Sequence, residues 1–287
     1  MAVPHQTARA RSGELSIHYR RLGRPGGTPI LIVHGLSYFS YDWLGVAQSL
    51  GAAREVVAMD MRGFGDSDWS PARDYSVPAM AQDIVNVLDH LRWPRTLLVG
   101  HSMGARSTTC VAAQHPDRVQ GLVLVDYSPE NAPAGARRTT EMVGNQPDAF
   151  PSIEAAMRYF GKGDRERFAA YLKKTDSGWA AKRDLYFRDQ FRRALQSGER
   201  PKLAVDMWQL LGEVRCPILS LRGARSDMYA AGTVEKMKAA NPRLQVVEIP
   251  DAGHDIAGER PSELVSAFNK WNQAVLLEGA GHEHTGH

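Results

Sequence analysis

Residues 97–109 read LLVGHSMGARSTT, and the serine at position 102 stands between two glycines where an apolar run gives way to a helical pattern. Glycine weakens strands and helices alike, so a pair of glycines around one hydroxyl serves something other than core packing. The arrangement Gly100-His101-Ser102-Met103-Gly104 is G-x-S-x-G between an expected strand and an expected helix, the setting of a tight turn that lifts a nucleophilic hydroxyl above a sheet edge. The first amides of the following helix lack intrahelical partners and can stabilise a developing oxyanion, which makes the backbone N–H of Met103 the expected donor. His101 points away from the serine across so sharp a turn and is read as scaffolding.

A serine hydroxyl attacks only when a base takes its proton and a third group orients that base. His254, in IPDAGHDIAGERP, follows the last β-type run in a glycine-containing loop and is the expected base. Two aspartates compete for the acid. Asp227, in PILSLRGARSDMYA, lies just beyond the strand that precedes the histidine and gives the chain order Ser, Asp, His; it is the expected acid, with Asp126 at the end of GLVLVD as the competitor. Upstream, ILIVHG ends in His34-Gly35, and the N–H of Leu36 is the expected second oxyanion donor. His34 is read as bracing this loop, and it counts with Tyr38, Phe39 and Trp43 among the candidate pocket residues.

The elements that must position these groups alternate along the chain. LSIHYRRL, ILIVHG, EVVAMDMRG, TLLVG, GLVLVDYS, PILSLRG and LQVVEIPDAGH read as strands, and the segments between them are helical, which predicts a parallel sheet covered on both faces. In VPAMAQDIVNVLDHL, Met80, Ile84, Val87, Leu88 and Leu91 recur at helical spacing. From 129 to 211 the strands stop, and this stretch is expected to form an inserted helical cap on a core of 1–128 and 212–275. Ten of the chain's 23 aromatic residues fall in it, Trp208 among them, which suits the roof of an apolar pocket. Lys and Arg exceed Asp and Glu by five over 131–210, so Arg188 or Arg192 is a candidate for holding a carboxylate on a substrate. Residues 276–287, with His282, His284 and His287, are expected to be a disordered tail.

Bulk properties exclude other classes. A net charge of +3 over 287 residues predicts no nucleic-acid partner, and no apolar run approaches the ~18 residues needed to cross a bilayer. The N-terminus lacks a signal-like apolar core, which leaves the cytoplasm as the expected compartment. Cys110 and Cys216, in apolar surroundings, are expected as buried thiols. No phosphate-loop pattern is present, and no cofactor or metal is expected. A small-molecule ester or lactone is the expected partner; self-association stays open.

With HG at 34–35, DMRGFGDSD at 60–68, GHSMG at 100–104, RGARSD at 222–227 and DAGHD at 251–255, the chain resembles the α/β-hydrolase superfamily over roughly residues 15–275. The resemblance implies an α/β fold with a mostly parallel eight-stranded sheet, helices on both faces, a helical cap and no cofactor. It further implies a carboxylesterase-like serine hydrolase. Relatives that open epoxides or carbon–halogen bonds use an aspartate where this chain has Ser102. Carbon–carbon hydrolases of diketone acids show a different stretch after HG and a tryptophan after the histidine. That activity, and a ligand-binding receptor on the same fold, are the alternatives.

Overall fold

The structure, a computed structural model, describes residues 3–161, 163–199 and 203–282, with side chains described as far as 275. The disordered tail expected from 276 is corrected in part: the last helix runs on to His282, and 283–287 lie outside the described residues. Among the described residues, ten strands run β1 (Gln6–Ser12), β2 (Leu15–Gly23), β3 (Ile30–Val33), β4 (Glu55–Met59), β5 (Thr96–His101), β6 (Val119–Val125), β7 (Leu172–Thr175), β8 (Gly178–Ala181), β9 (Ile218–Gly223) and β10 (Leu244–Ile249). The helices are α1 (Leu44–Leu50), α2 (Val77–His90), α3 (Met103–Gln114), α4 (Pro133–Gly144), α5 (Ile153–Phe160), α6 (Arg165–Tyr171), α7 (Leu185–Ser197), α8 (Met207–Glu213), α9 (Thr233–Ala240), α10 (Ile256–Glu259) and α11 (Pro261–His282).

Eight strands form one sheet in the order β1-β2-β4-β3-β5-β6-β9-β10, antiparallel at β1/β2 and β2/β4 and parallel from β4 onward. The central strands are apolar on both faces because helices cover both. Every residue of β3 is buried, and full burial of each such side chain is worth about 1.5–3 kcal/mol over leaving it in water. One buried cluster, with Leu31, Val33, Leu98 and Leu122, packs against α2 and α3. The other, with Ile30, Ile32, Val99 and Val123, packs against α1 and α11.

The eighth strand is β1, which the hydrophobic pattern did not predict. Its sequence QTARARS buries only Ala10 and Ser12, and it lies at the sheet edge, where two arginines suit a strand with one side open to solvent. Its register comes instead from seven consecutive pairings with β2 across a tight turn.

Between β6 and α8 the chain forms α4 to α7 and the small antiparallel hairpin β7-β8, so the inserted segment is helical with two short strands added. Its own core gathers Phe150, Phe168, Tyr171 and Leu172. The expected boundary at 211 falls inside α8, whose Met207, Leu210 and Leu211 belong to the main core beneath α3. Polar bonds tie the cap to the sheet: Lys182 Nζ to Asp66 at 2.8 Å, Asp184 N–H to the Gly63 carbonyl at 2.8 Å, and Arg167 to Asp42 at 2.6 and 3.0 Å. Cys110 and Cys216 are buried free thiols. Among the described residues, no helix is long and apolar enough to cross a membrane.

Candidate active site

β5 ends at His101, α3 begins at Met103, and Ser102 makes the whole reversal with φ 51° and ψ −112°. A non-glycine residue there is strained by about 1–3 kcal/mol and holds its place only because the surroundings leave no other path. The two flanking glycines are demanded by space. A Cβ on Gly100 would lie 2.6 Å from the Cα of Ala105 and against the Thr108 hydroxyl, and one on Gly104 would lie 2.8 Å from the carbonyl carbon of Val33. Helix α3 therefore sits hard against β3 and β5, with the serine at its tip.

His254 Nε2 lies 3.0 Å from Ser102 Oγ, and His254 Nδ1 lies 2.7 Å from Asp126 Oδ2. The pairing of Ser102 with His254 is as expected; the acid is not. Asp227, the expected acid, is engaged by Arg138 through two bonds at 2.5 and 2.8 Å, and this guanidinium holds its carboxyl below the usual range. The carboxylate that meets the histidine is Asp126. Its neighbours explain the correction: Asp126 accepts from the Gly223 N–H at 2.9 Å and from the Ser226 hydroxyl at 2.5 Å. The RGARSD segment that seemed to supply the acid supplies donors to it instead. Asp126 is buried, so these bonds replace the water its charge would otherwise need.

Around this chain of bonds, two histidines hold loops without touching the serine. His34 is wholly buried; its Nδ1 donates to the Gly35 carbonyl at 2.7 Å and its Nε2 accepts from the Met61 N–H at 3.0 Å. Burial lowers its pKa, in keeping with a neutral ring that donates on one side and accepts on the other. His34 thus braces the loop carrying Leu36 and does not line the cavity. His101 donates from Nε2 to the His254 carbonyl at 3.0 Å, fixing the backbone of His254, and burial followed by the nearby His254 ring depresses its pKa. This support of His254 was missed from sequence; the signal was a histidine in the elbow itself.

Beside Ser102 opens a cavity of about 830 Å³, within the size range of small-molecule sites. Leu36 and Met103, the expected oxyanion donors, both line it, as does Tyr38. Phe160, Tyr186, Phe187 and Phe191 supply aromatic wall from the cap. The other pocket candidates are placed elsewhere. Phe39 is buried against Tyr171, and Trp43 is buried against His101. Trp208 packs on the main core. Arg188 pairs with Asp148 and Asp189, and Arg192 bonds the carbonyls of Gly144 and Gln146, so both are spent on holding the cap together. His18, Asp60 and Asp66 cluster with ligand-like spacing, but Arg20 approaches both carboxylates at 3.7 Å and Lys182 holds Asp66, so cations of the protein already face them.

The profile of the alpha/beta hydrolase family matches residues 30–268. The chain is 28% identical over 270 residues to a 3-hydroxybutyrate-oligomer hydrolase of Cupriavidus necator, covering 87% of this chain and 90% of that one. It is 28% identical to a 2-(acetamidomethylene)succinate hydrolase of Mesorhizobium japonicum, covering 91% and 93%. The crystal structure of an E-2-(acetamidomethylene)succinate hydrolase superposes with a TM-score of 0.83 at 25% identity, over 94% of this chain and all of the other.

Proposed function

Because the chain belongs to the alpha/beta hydrolase family, we propose that it is a serine hydrolase cleaving a carboxylic ester or lactone through an acyl-enzyme on Ser102. The observation that carries this reading is the unbroken line Ser102, His254, Asp126, at 3.0 and 2.7 Å, opening into a walled cavity. A nucleophile, a base within hydrogen-bond reach and a carboxylate orienting the base are the parts that acyl transfer requires.

In the proposed reaction Ser102 Oγ attacks the carbonyl carbon while His254 Nε2 takes its proton. Asp126, ionised and anchored by Gly223 and Ser226, holds the His254 Nδ1–H and offsets the imidazolium charge. The N–H groups of Leu36 and Met103 face the oxyanion of the tetrahedral intermediate. Collapse expels the alcohol, which takes the proton from His254. Water, activated by the same nitrogen, then releases the acid and restores the serine. Two relatives are named as hydrolases of 3-hydroxybutyrate oligomers and of 2-(acetamidomethylene)succinate.

The test is hydrolysis of p-nitrophenyl acetate and butyrate, together with fluorophosphonate labelling and peptide mass analysis. Turnover that vanishes in Ser102→Ala, with the adduct on the 102 peptide, supports the reading. Undiminished turnover in that variant, or an adduct elsewhere, overturns it.

A further inference from the structure

Among the described residues five arginines line the cavity, and four of them differ from the fifth in one respect. Arg138 is bonded to Asp227, Arg167 to Asp42, and Arg225 lies 3.6 Å from Glu259 and bonds the Asp251 carbonyl at 2.5 Å. Arg73 is exposed, so water solvates it. Arg106 is partly buried, and no hydrogen bond or ion pair to it exists among the described residues. It stands on α3 four residues after Ser102, a rise of about 6 Å along the helix axis. Burial lowers its pKa, yet an arginine stays charged in proteins. Tyr127, which acts on it electrostatically, is itself buried with an unbonded hydroxyl. On α2, packed beside α3, the cavity wall is Val77 and Met80.

A partly buried cation that no carboxylate engages, on a cavity wall whose α2 side is apolar, is an incomplete ion pair that an anion would complete. We propose that Arg106 is the specificity-determining residue of this site: it binds a free carboxylate on the substrate, so the enzyme acts on esters or lactones of acids that carry a second, ionised acid group. The guanidinium takes such a carboxylate in a two-pronged charge-assisted bond. It takes over the role that the charge of the cap had suggested for Arg188 or Arg192. The inference rests on the ester-hydrolase reading above, and its test separates the two.

The experiment compares kcat/KM for monomethyl malonate, succinate and glutarate with that for methyl propionate, butyrate and valerate. The expected result is a preference of tenfold or more for the half-ester at one chain length or more. Arg106→Met and Arg106→Gln lower that ratio at least tenfold, and Arg106→Lys, which keeps the charge but loses the fork, gives an intermediate ratio. A ratio near one in the wild type, or a ratio unchanged in the Met and Gln variants, overturns the proposal. If both variants fail to fold, the wild-type ratio alone decides.

Should no ester be turned over, the function reading fails and the binding claim is read separately. Monomethyl succinate and glutarate then raise the melting temperature of Ser102→Ala, and a second substitution, Arg106→Gln, removes the rise; no rise in Ser102→Ala overturns the inference.

Discussion

Ser102 and Asp126 leave neighbouring parallel strands one residue beyond the same register pair, His101 with Val125, and both take a positive φ, 51° and 44°. Two strained residues side by side at the carboxyl edge of the sheet hold hydroxyl and carboxylate where a single imidazole reaches both. Asp227 hangs from the loop beyond the next strand, β9, and looks toward Arg138 in the cap.

This register makes the two aspartates separable by mutation. Asp126→Asn keeps the shape but leaves His254 in the wrong tautomer, and kcat should fall by about 10⁴-fold. Asp227→Asn removes one half of a partly exposed ion pair with Arg138, whose loss costs at most about 1 kcal/mol of stability and leaves the triad intact. Rates of p-nitrophenyl butyrate hydrolysis by the two variants decide; a larger loss at 227 than at 126 would reverse the assignment.

Strain at the nucleophile predicts a trade between stability and activity. Ser102→Gly should be more stable than Ser102→Ala by about 1 kcal/mol, because alanine keeps the unfavourable φ and glycine does not. Both variants lack the nucleophile. Urea midpoints at equal m-values measure the difference, and an alanine variant as stable as the glycine variant would deny the strain.

Acid should destabilise the fold through its buried histidines. His34 and His101 both have pKa values lowered by burial, so the unfolded chain binds their protons first. Their contribution is fully present above about pH 6.5 and is lost as pH falls from there toward the folded values, by up to about 1.4 kcal/mol per pH unit for each ring. Urea midpoints from pH 7.5 to 5 should drop steeply in the wild type and less steeply in His101→Gln. Equal slopes in the two proteins would show that the ring does not stay neutral.

The cap is fastened to the oxyanion loop by Arg167, which grips Asp42 with two bonds and reaches the Ser37 carbonyl at 3.3 Å. Both partners of the ion pair are largely buried, and burial already raises the Asp42 pKa despite the guanidinium. Arg167→Met should therefore cost about 3 kcal/mol, since it strands a carboxylate. Adding Asp42→Asn should recover a measurable part of that loss. Denaturant unfolding of the single and double variants reads the coupling, and simple additivity would mean the pair contributes nothing as a pair.

What the chain determined by itself was the set of local decisions. Apolar runs such as ILIV and TLLV can only be strands buried on both faces, and the spacing of Met80, Ile84 and Val87 makes one face of a helix. The glycines at 100 and 104 fix a turn that nothing bulkier could make, so Ser102 was legible as the candidate nucleophile, and His254 followed as its partner, the histidine in the last loop at the same edge. Tertiary structure decided everything that depends on which strands are neighbours. The strand β1 exists because β2 offers it an edge, while its own residues carry almost no apolar signal. Asp126 rather than Asp227 meets His254 because β6 lies directly beside β5 and β9 one strand farther out, a fact of pairing order that no residue announces along the chain. Arg188 and Arg106 look equally available as charges in sequence; only the packed cap shows that one is spent on Asp148 and Asp189 while the other is left facing the cavity, because a charge's meaning lies in what surrounds it.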